Sequence, residues 1–392
     1  MPKRRKGVQG KYPAPKQGID FPLILATLAI LAFGLIMVLT AGSVRSFNTT
    51  SNQNSFFYVM QQLKWAILGG GVAFLMAKLP YRIWRRFSGI VIVLSVVLLV
   101  AVLFTSAGQV AKGSARWLKM GPVNVQPSEI AKLAVILFLA HVLDRFPVKK
   151  LRDFVIPGAF IILILGLVYK QPDLGTTMVI AITVFAMLWQ TQLPTRWFLI
   201  AIPSVSIPLF YLIRHTEYQW NRILAWMDPW KYASDLGYQI TNAQIAFGSG
   251  GIFGVGLGHS LQKYGFLPET YTDMIFAVIG EELGLIGTLF LIGLFVVLYA
   301  RGFYIARQCE DRFGRLLAFG VTTSLAVQTG MNLAVVTGVM PVTGVTLPLV
   351  SYGGSSLVIT LAEIGILMNI SCYARLNTDL KGIIGEVKSI SQ

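Results

Sequence analysis

The sequence predicts an all-α polytopic membrane protein with about ten transmembrane helices, cytoplasmic N- and C-termini, and a long extracytoplasmic loop between helices 7 and 8. Three observations carry that prediction. The 392 residues are 55% hydrophobic and 13% charged, against about 25% charged in a soluble domain, so polar side chains are too few to wet a soluble body of this size. The apolar residues come in continuous runs near the length that crosses a bilayer as helix, about 17–25 residues, without the alternation of barrel strands. The bases are sorted along the chain as membrane topology sorts them.

In order, the runs fall at about 21–42, 61–79, 88–107, 129–143, 154–169, 174–190, 196–213, 274–300, 316–336 and 353–373. With both termini inside, 22 of the 33 Lys and Arg lie on inside segments, nine outside, and Lys64 and Lys132 in or beside spans. The net charge of +16 is therefore mainly an orientation signal. It does not point to nucleic acid, because the bases are dispersed along the inner rim and form no single patch. Residues 1–20 read as a basic cytoplasmic tail, 21–373 as one membrane domain whose long outer loop is 214–272, and 374–392 as a second tail. MPKRRK precedes an apolar run of about 22 residues, longer than the 7–15 of a cleaved leader. Cys309 and Cys372 fall on the cytoplasmic side, reduced, and make no disulfide framework.

The outer segments 108–128 and 214–273 are long where other loops are short, which points to function there. Acidic residues agree: of 17, ten lie outside or within the membrane, where ionisable groups are costly and need a partner or a wet cavity. Glu129 and Lys132 open the fourth span at i and i+3, on one helix face, and can pair. Helix-start chemistry, with Ser128 as N-cap and Glu129 against the dipole, explains Glu129 but not Lys132 one turn deeper. A base poised there suits an anionic ligand such as a phosphate, and Arg116 of the preceding loop can join it. Asp173, opening the sixth span, has a plain N-cap as its simplest role, and Asp273, where the long loop enters the eighth span, has the same alternative. Yet Glu269, Asp273, Glu281 and Glu282 crowd together in an acid-poor chain. A helix over 274–300 is about 40 Å long, more than the hydrocarbon needs, so its first turns would roof an outward cavity in which Asp273 can serve as general base.

Ser324, Gln328 and Asn332 form a polar stripe along the ninth span, for which interhelical hydrogen bonding is the simplest account. The connector Gly338–Ser356, GVMPVTGVTLPLVSYGGSS, is non-helical in composition and near membrane depth, which is tolerated only when buried in protein or lining a cavity. Other patterns carry little. GVGLGH at 254–259 lacks the last glycine of a dinucleotide fingerprint, three scattered histidines give no zinc spacing, and no ATP-binding loop is present.

Taken together these segments resemble the SEDS family (shape, elongation, division and sporulation), which includes RodA and FtsW. The residues that carry the resemblance are RW at 116–117, QPSEIAKL at 126–133, QPDLGT at 171–176, the stretch 246–284 from AFGSGG to EELG, and the connector at 338–356, in family order from first span to last. GLGHSLQK and GVTLPLVSYGGSS look closer to the FtsW and sporulation branch than to RodA.

The resemblance implies a ten-span peptidoglycan glycosyltransferase in the bacterial cytoplasmic membrane. It would polymerise lipid II at the outer face during septal wall synthesis and release undecaprenyl pyrophosphate. A class B penicillin-binding protein, other division proteins and membrane lipid are the implied partners. The family's essential acid falls on Asp273. Its other sensitive positions fall on Arg116, Glu129, Lys132 and Asp173, with Glu269, Ser351, Gly353, Gly354 and Ser355 as further candidates for substrate binding. A divalent cation at the pyrophosphate is a possible cofactor. A lipid II flippase and a non-catalytic division scaffold are the competing functions.

Overall fold

The computed structural model describes residues 18–374, apart from 51–52, 106–107, 112–113, 121–122, 147 and 149–150. The two expected tails lie almost wholly outside these residues. Each expected span has a helix at its place: α1 (Phe21–Thr49), α2 (Phe57–Lys78), α3 (Ile83–Phe104), α4 (Pro127–Arg145), α5 (Val155–Lys170), α6 (Leu174–Trp189) and α7 (Thr195–His215). After α8 (Glu217–Met227) and α9 (Tyr238–Gly250) come α10 (Ile275–Gln308), α11 (Arg312–Val336) and α12 (Gly354–Ser371). Among the described residues, seven helices are long and apolar enough to cross a membrane and α6 is a shorter apolar one. The protein is a helical, multi-pass membrane protein.

Local chemistry sets several helix starts. Asp20 caps α1 by accepting from the Leu23 amide at 2.9 Å, and Asp311 caps α11 by accepting from the Gly314 amide at 3.1 Å. In α4, Pro127 occupies the first turn, where its missing N–H is no loss. Ser128 is not the cap: Gln126 holds that position, and the Ser128 hydroxyl turns to Asp173.

Burial separates inner from outer helices. Of the spanning window of α12, 78% is buried, and of α11, 67%, against 6% for α7. α4 packs on α3, α6, α11 and α12, and α12 packs on α2. Around this centre the outward faces of α1, α2, α3, α5, α7 and α10 expose Leu28, Ile67, Ile90, Ile162, Ile207 and Phe290. That belt matches a hydrocarbon solvent.

The two long connecting segments, expected outside, are folded, which the sequence did not foretell. The first carries an antiparallel sheet in the order β1 (Gly108–Ala111), β2 (Ser114–Met120), β3 (Val123–Val125). It is a departure from a purely helical chain, and it delivers Arg116 on β2. The second contributes α8 and α9. Nor is α10 one straight rod: Gly284 leaves the helix at φ +65°, a conformation open to glycine without a Cβ penalty. The backbone groups this break releases bond to the outer loop. Val255 and Gly256 amides donate to Glu281 and Glu282 carbonyls at 3.0 Å, and the Leu285 amide donates to Gly251 at 3.0 Å. The buried segment 275–282 is therefore tied to the loop 251–256, and the longer part of α10 lies beyond Gly284.

Candidate functional site

Helical periodicity places Glu129 and Lys132 on one face of the first turns of α4, and tertiary packing buries both. Lys132 is 1% exposed. Its ammonium donates to Glu129 Oε2 at 2.9 Å and to Gln328 Oε1 on α11 at 2.6 Å. The pairing expected from the i,i+3 spacing is present, and Gln328 brings in the polar stripe. A buried ammonium needs such partners to offset its lost hydration. Glu363 of α12 also stands within electrostatic reach of Lys132 and Glu129; it is fully buried and neither carboxyl oxygen has a hydrogen-bond partner. The signal that marks it is its place as the one acid in the last apolar run, 353–373, where an ionisable group is costly.

Asp173 caps α6, its Oδ1 accepting from the Thr176 amide at 3.2 Å. Its Oδ2 accepts from the Ser128 hydroxyl at 3.2 Å and from Gln126 Nε2 at 3.4 Å. The capping role is thus real, and the same carboxylate ties the starts of α4 and α6 together. Arg116 reaches over this turn: Nε donates to the Gln171 carbonyl at 3.1 Å and Nη2 to that of Pro172. Its planar fork holds the backbone that presents Asp173.

Asp273 is partly exposed and is not the cap of α10, whose N-cap is Met274 with no side-chain bond. Its main chain is held instead. Asn332 Nδ2, on the α11 stripe, donates to the Asp273 carbonyl and to the Val345 carbonyl, both at 2.8 Å. Ser351 Oγ donates to the Thr272 carbonyl at 2.5 Å, and the Tyr352 amide to Tyr271 at 2.8 Å. Residues 271–273 therefore run beside the connector that precedes α12. Gly344 in that connector has φ +73°, and a Cβ there would stand 3.9 Å from Asp273 Oδ2.

A cavity with about 30 Å³ of room for water is lined by Gln126, Glu129, Lys132, Asp173, Thr176 and Gln328 with connector residues 344–346; Asp273 meets it only through its neighbour Gly344. The connector thus lines a cavity, as its composition required. One or two waters fit; a ligand-sized pocket has about 300–1,000 Å³, so a sugar needs more room than this cavity gives.

Four candidates from the SYGGSS segment frame the connector from behind. Ser351 bonds Thr272, the Gly353 amide donates to Gln62 Oε1 at 3.2 Å, and Ser355 Oγ donates to the Asn124 carbonyl of β3 at 3.1 Å. Gly354 packs so closely on Trp65 that a Cβ would stand 2.5 Å from its ring. The acidic group divides in space. Glu281 accepts from the Leu261 amide at 2.9 Å and from Ser260, and Glu282 pairs with Lys263 at 3.3 Å, so both anchor the outer loop. Glu269 lines a separate cavity with Arg45, Asn48 and Tyr271. Among the described residues no group of three or more His, Cys, Asp or Glu stands where it could hold a metal ion. Glu129 and Asp173 are engaged by protein donors.

Arg222 of α8, on the long loop 214–272, is a further residue of this region. Its Nη1 donates to the Val342 carbonyl at 2.8 Å, and its Nη2 to the Tyr218 hydroxyl. Burial pushes its pKa below the ordinary arginine value, with Arg116 adding to the shift and Tyr218 and Asp273 opposing it. A cation thus stands over the connector within electrostatic reach of Asp273.

Comparison with known proteins gives a consistent picture. A family model, FtsW/RodA/SpoVE, described as cell cycle protein, matches residues 21–376. A Bacillus subtilis protein named "Probable peptidoglycan glycosyltransferase FtsW" is 40% identical over 376 residues, covering 92% of this chain and 93% of the relative. Its namesake from Geobacter sulfurreducens is 38% identical over 367 residues, 93% of this chain and 96% of its own. A chain solved in a peptidoglycan synthase complex, in work on the coordination of polymerization and crosslinking, superposes with TM-score 0.75 at 31% identity, covering 90% of this chain and 97% of that one. The rod shape determining protein RodA of Thermus thermophilus superposes with TM-score 0.67 at 29% identity, covering 92% and 98%.

Proposed function

The chain belongs to the FtsW/RodA/SpoVE family of cell cycle proteins, and we propose that it polymerises lipid II into β-1,4-linked glycan at the outer face of the cytoplasmic membrane, with Asp273 as general base. It is a peptidoglycan glycosyltransferase. The observation that carries the finer reading is the placement of Asp273: its backbone is fixed by Asn332, and its Oδ2 borders Gly344, which lines the same cavity as Lys132.

Asp273 accepts the proton of the 4-hydroxyl on the GlcNAc of an incoming lipid II. The oxygen attacks C1 of the MurNAc at the end of the growing strand. The new C–O bond forms as the bond to undecaprenyl pyrophosphate breaks, with inversion to the β-1,4 link. Pyrophosphate leaves as an anion and needs no proton, so one carboxylate suffices. Lys132 has three ammonium N–H groups, two of them on Glu129 and Gln328; the third faces charge growing on the leaving group. Arg222 adds a second cation. Arg116 and Asp173 act by fixing the turn where α4 and α6 begin. A lipid-linked substrate explains why these groups sit at one end of a helical bundle.

In the cell the protein acts at the division septum with a class B penicillin-binding protein that crosslinks the strands, alongside other division proteins. The test uses the purified full chain with its cognate class B partner and labelled lipid II. Asp273→Asn is expected to yield no polymer while still retaining lipid II. Polymerisation at the wild-type rate would remove Asp273 as the base, and lipid II crossing vesicles without polymerising would establish a flippase.

A further inference from the structure

A strongly basic cavity lies at the other end of the bundle from Asp273. It has about 590 Å³ of room and is lined by Arg82, Arg85, Arg86 and Gly89 from the start of α3, and by Phe138, His141 and Arg145 from the end of α4, with Ser88 between them. From Lys132 to Arg145 is about 20 Å along α4 at 1.5 Å per residue, so the two sites are at opposite ends of one helix. Among the described residues the lining carries four guanidinium groups and no carboxylate. Asp144, behind it, pairs with Arg85 at 2.8 Å. Arg82 stacks over Tyr81 at 5.0 Å and Tyr373 at 5.2 Å, and Arg145 over Phe146 at 5.6 Å. Such contacts hold two of the guanidinium charges in place at the rim.

An apolar surface adjoins this charge. Phe87 and Ile90 on α3, Phe146 at the end of α4 and Val155 and Ile156 at the start of α5 are all exposed. The mouth therefore offers a phosphate-sized concentration of positive charge with hydrocarbon-compatible surface beside it. A free phosphate uses only the first of these features, and a phospholipid uses both. Basic pockets between helices at the cytoplasmic side are suited to anionic head groups, and Arg82, Arg85, Arg86 and Arg145 all fall on segments that the charge asymmetry puts inside.

We propose that this cavity between α3 and α4 binds the head group of an anionic membrane phospholipid at the cytoplasmic leaflet, with Arg86 and Arg145 as phosphate-binding residues and the acyl chains along the exposed faces of Phe87 and Ile90. The bound lipid rests against α4, the helix that carries Glu129 and Lys132 at its far end.

The full chain, purified in detergent, is titrated with phosphatidylglycerol or phosphatidylcholine, and bound lipid is counted by native mass spectrometry. Wild-type protein is expected to retain phosphatidylglycerol and not phosphatidylcholine. Arg86→Gln/Arg145→Gln should weaken phosphatidylglycerol about thirtyfold, at roughly fivefold per arginine near an anionic head group. Arg86→Lys/Arg145→Lys keeps both charges and should retain most of the binding. A control that removes two inner-rim charges elsewhere, Arg196→Gln/Arg307→Gln, should retain it all. Equal retention by the first variant, equal loss in the control or equal loss in the lysine variant each overturns the site. Displacement of the lipid by matching concentrations of soluble glycerol phosphate would make it a free-phosphate site and overturn the lipid assignment.

Discussion

The side-chain amide of Asn332 donates to the backbone oxygen of Asp273 at 2.8 Å, and the same nitrogen donates to Val345 at 2.8 Å. One buried group on α11 thus joins the proposed base to the connector that walls the cavity. Asn332→Ala leaves both carbonyls short of a donor, and an unsatisfied buried polar group costs about 1–3 kcal/mol. Because Asp273 loses its position and keeps its carboxylate, polymer formation should fall by tenfold or more in kcat, with KM for lipid II little changed. A loss expressed only as a raised KM, with kcat unchanged, would assign Asn332 to substrate binding.

Lys132 and Glu129 form a buried ion pair at 2.9 Å, for which single and double substitutions diverge. Lys132→Met leaves Glu129 uncompensated, a situation that costs about 3–5 kcal/mol. Lys132→Met/Glu129→Met removes both charges at once and should recover most of the thermal stability. Activity should not return, because the cation facing the leaving group is gone. Thermal unfolding and polymerisation measured on the same samples separate the two roles; a double variant that polymerises at the wild-type rate would make Lys132 purely structural.

The legible part of this protein is the part governed by one-dimensional patterns. Helix positions followed from apolar runs, the Glu129–Lys132 pair from i,i+3 spacing, and the Asp173 cap from its place before a run. Arg222 and the break at Gly284 were not legible, because each is fixed by partners distant in sequence: Val342 for Arg222 and residues 251–256 for the kink. The β1–β3 sheet is local, with Ala111 paired to Ser114 and Met120 to Val123, and its short strands lack the length and alternation that mark a strand. The acidic group shows the converse. Glu281 and Glu282 are near Asp273 in sequence, yet their carboxylates point into the loop around Ser260 and Lys263.

Arg222 bridges the Val342 carbonyl and Tyr218 and stands near Asp273. Arg222→Gln should slow polymerisation about tenfold or more and shift the unfolding temperature by only a few degrees. Arg222→Lys should recover little, since an ammonium on a flexible stem does not reproduce the planar fork. Full activity in the lysine variant would show that charge alone matters at this position.

Gly344 offers the most local test of the site. Its φ of +73° puts any L side chain in the left-handed region, at a cost of about 1–2 kcal/mol. The added Cβ would also stand 3.9 Å from Asp273 Oδ2, ordinary contact distance but on the side where a sugar hydroxyl must approach. Gly344→Ala should therefore reduce polymerisation by more than its stability loss explains, and Gly344→Val should abolish it. Gly248 in α9 is the matched control, with open space around its Cβ position and no positive φ. Alanine there should raise helix stability by up to about 1 kcal/mol and leave polymerisation unchanged. If Gly344→Ala polymerised at the wild-type rate, the approach to Asp273 would have to lie on another face of the connector.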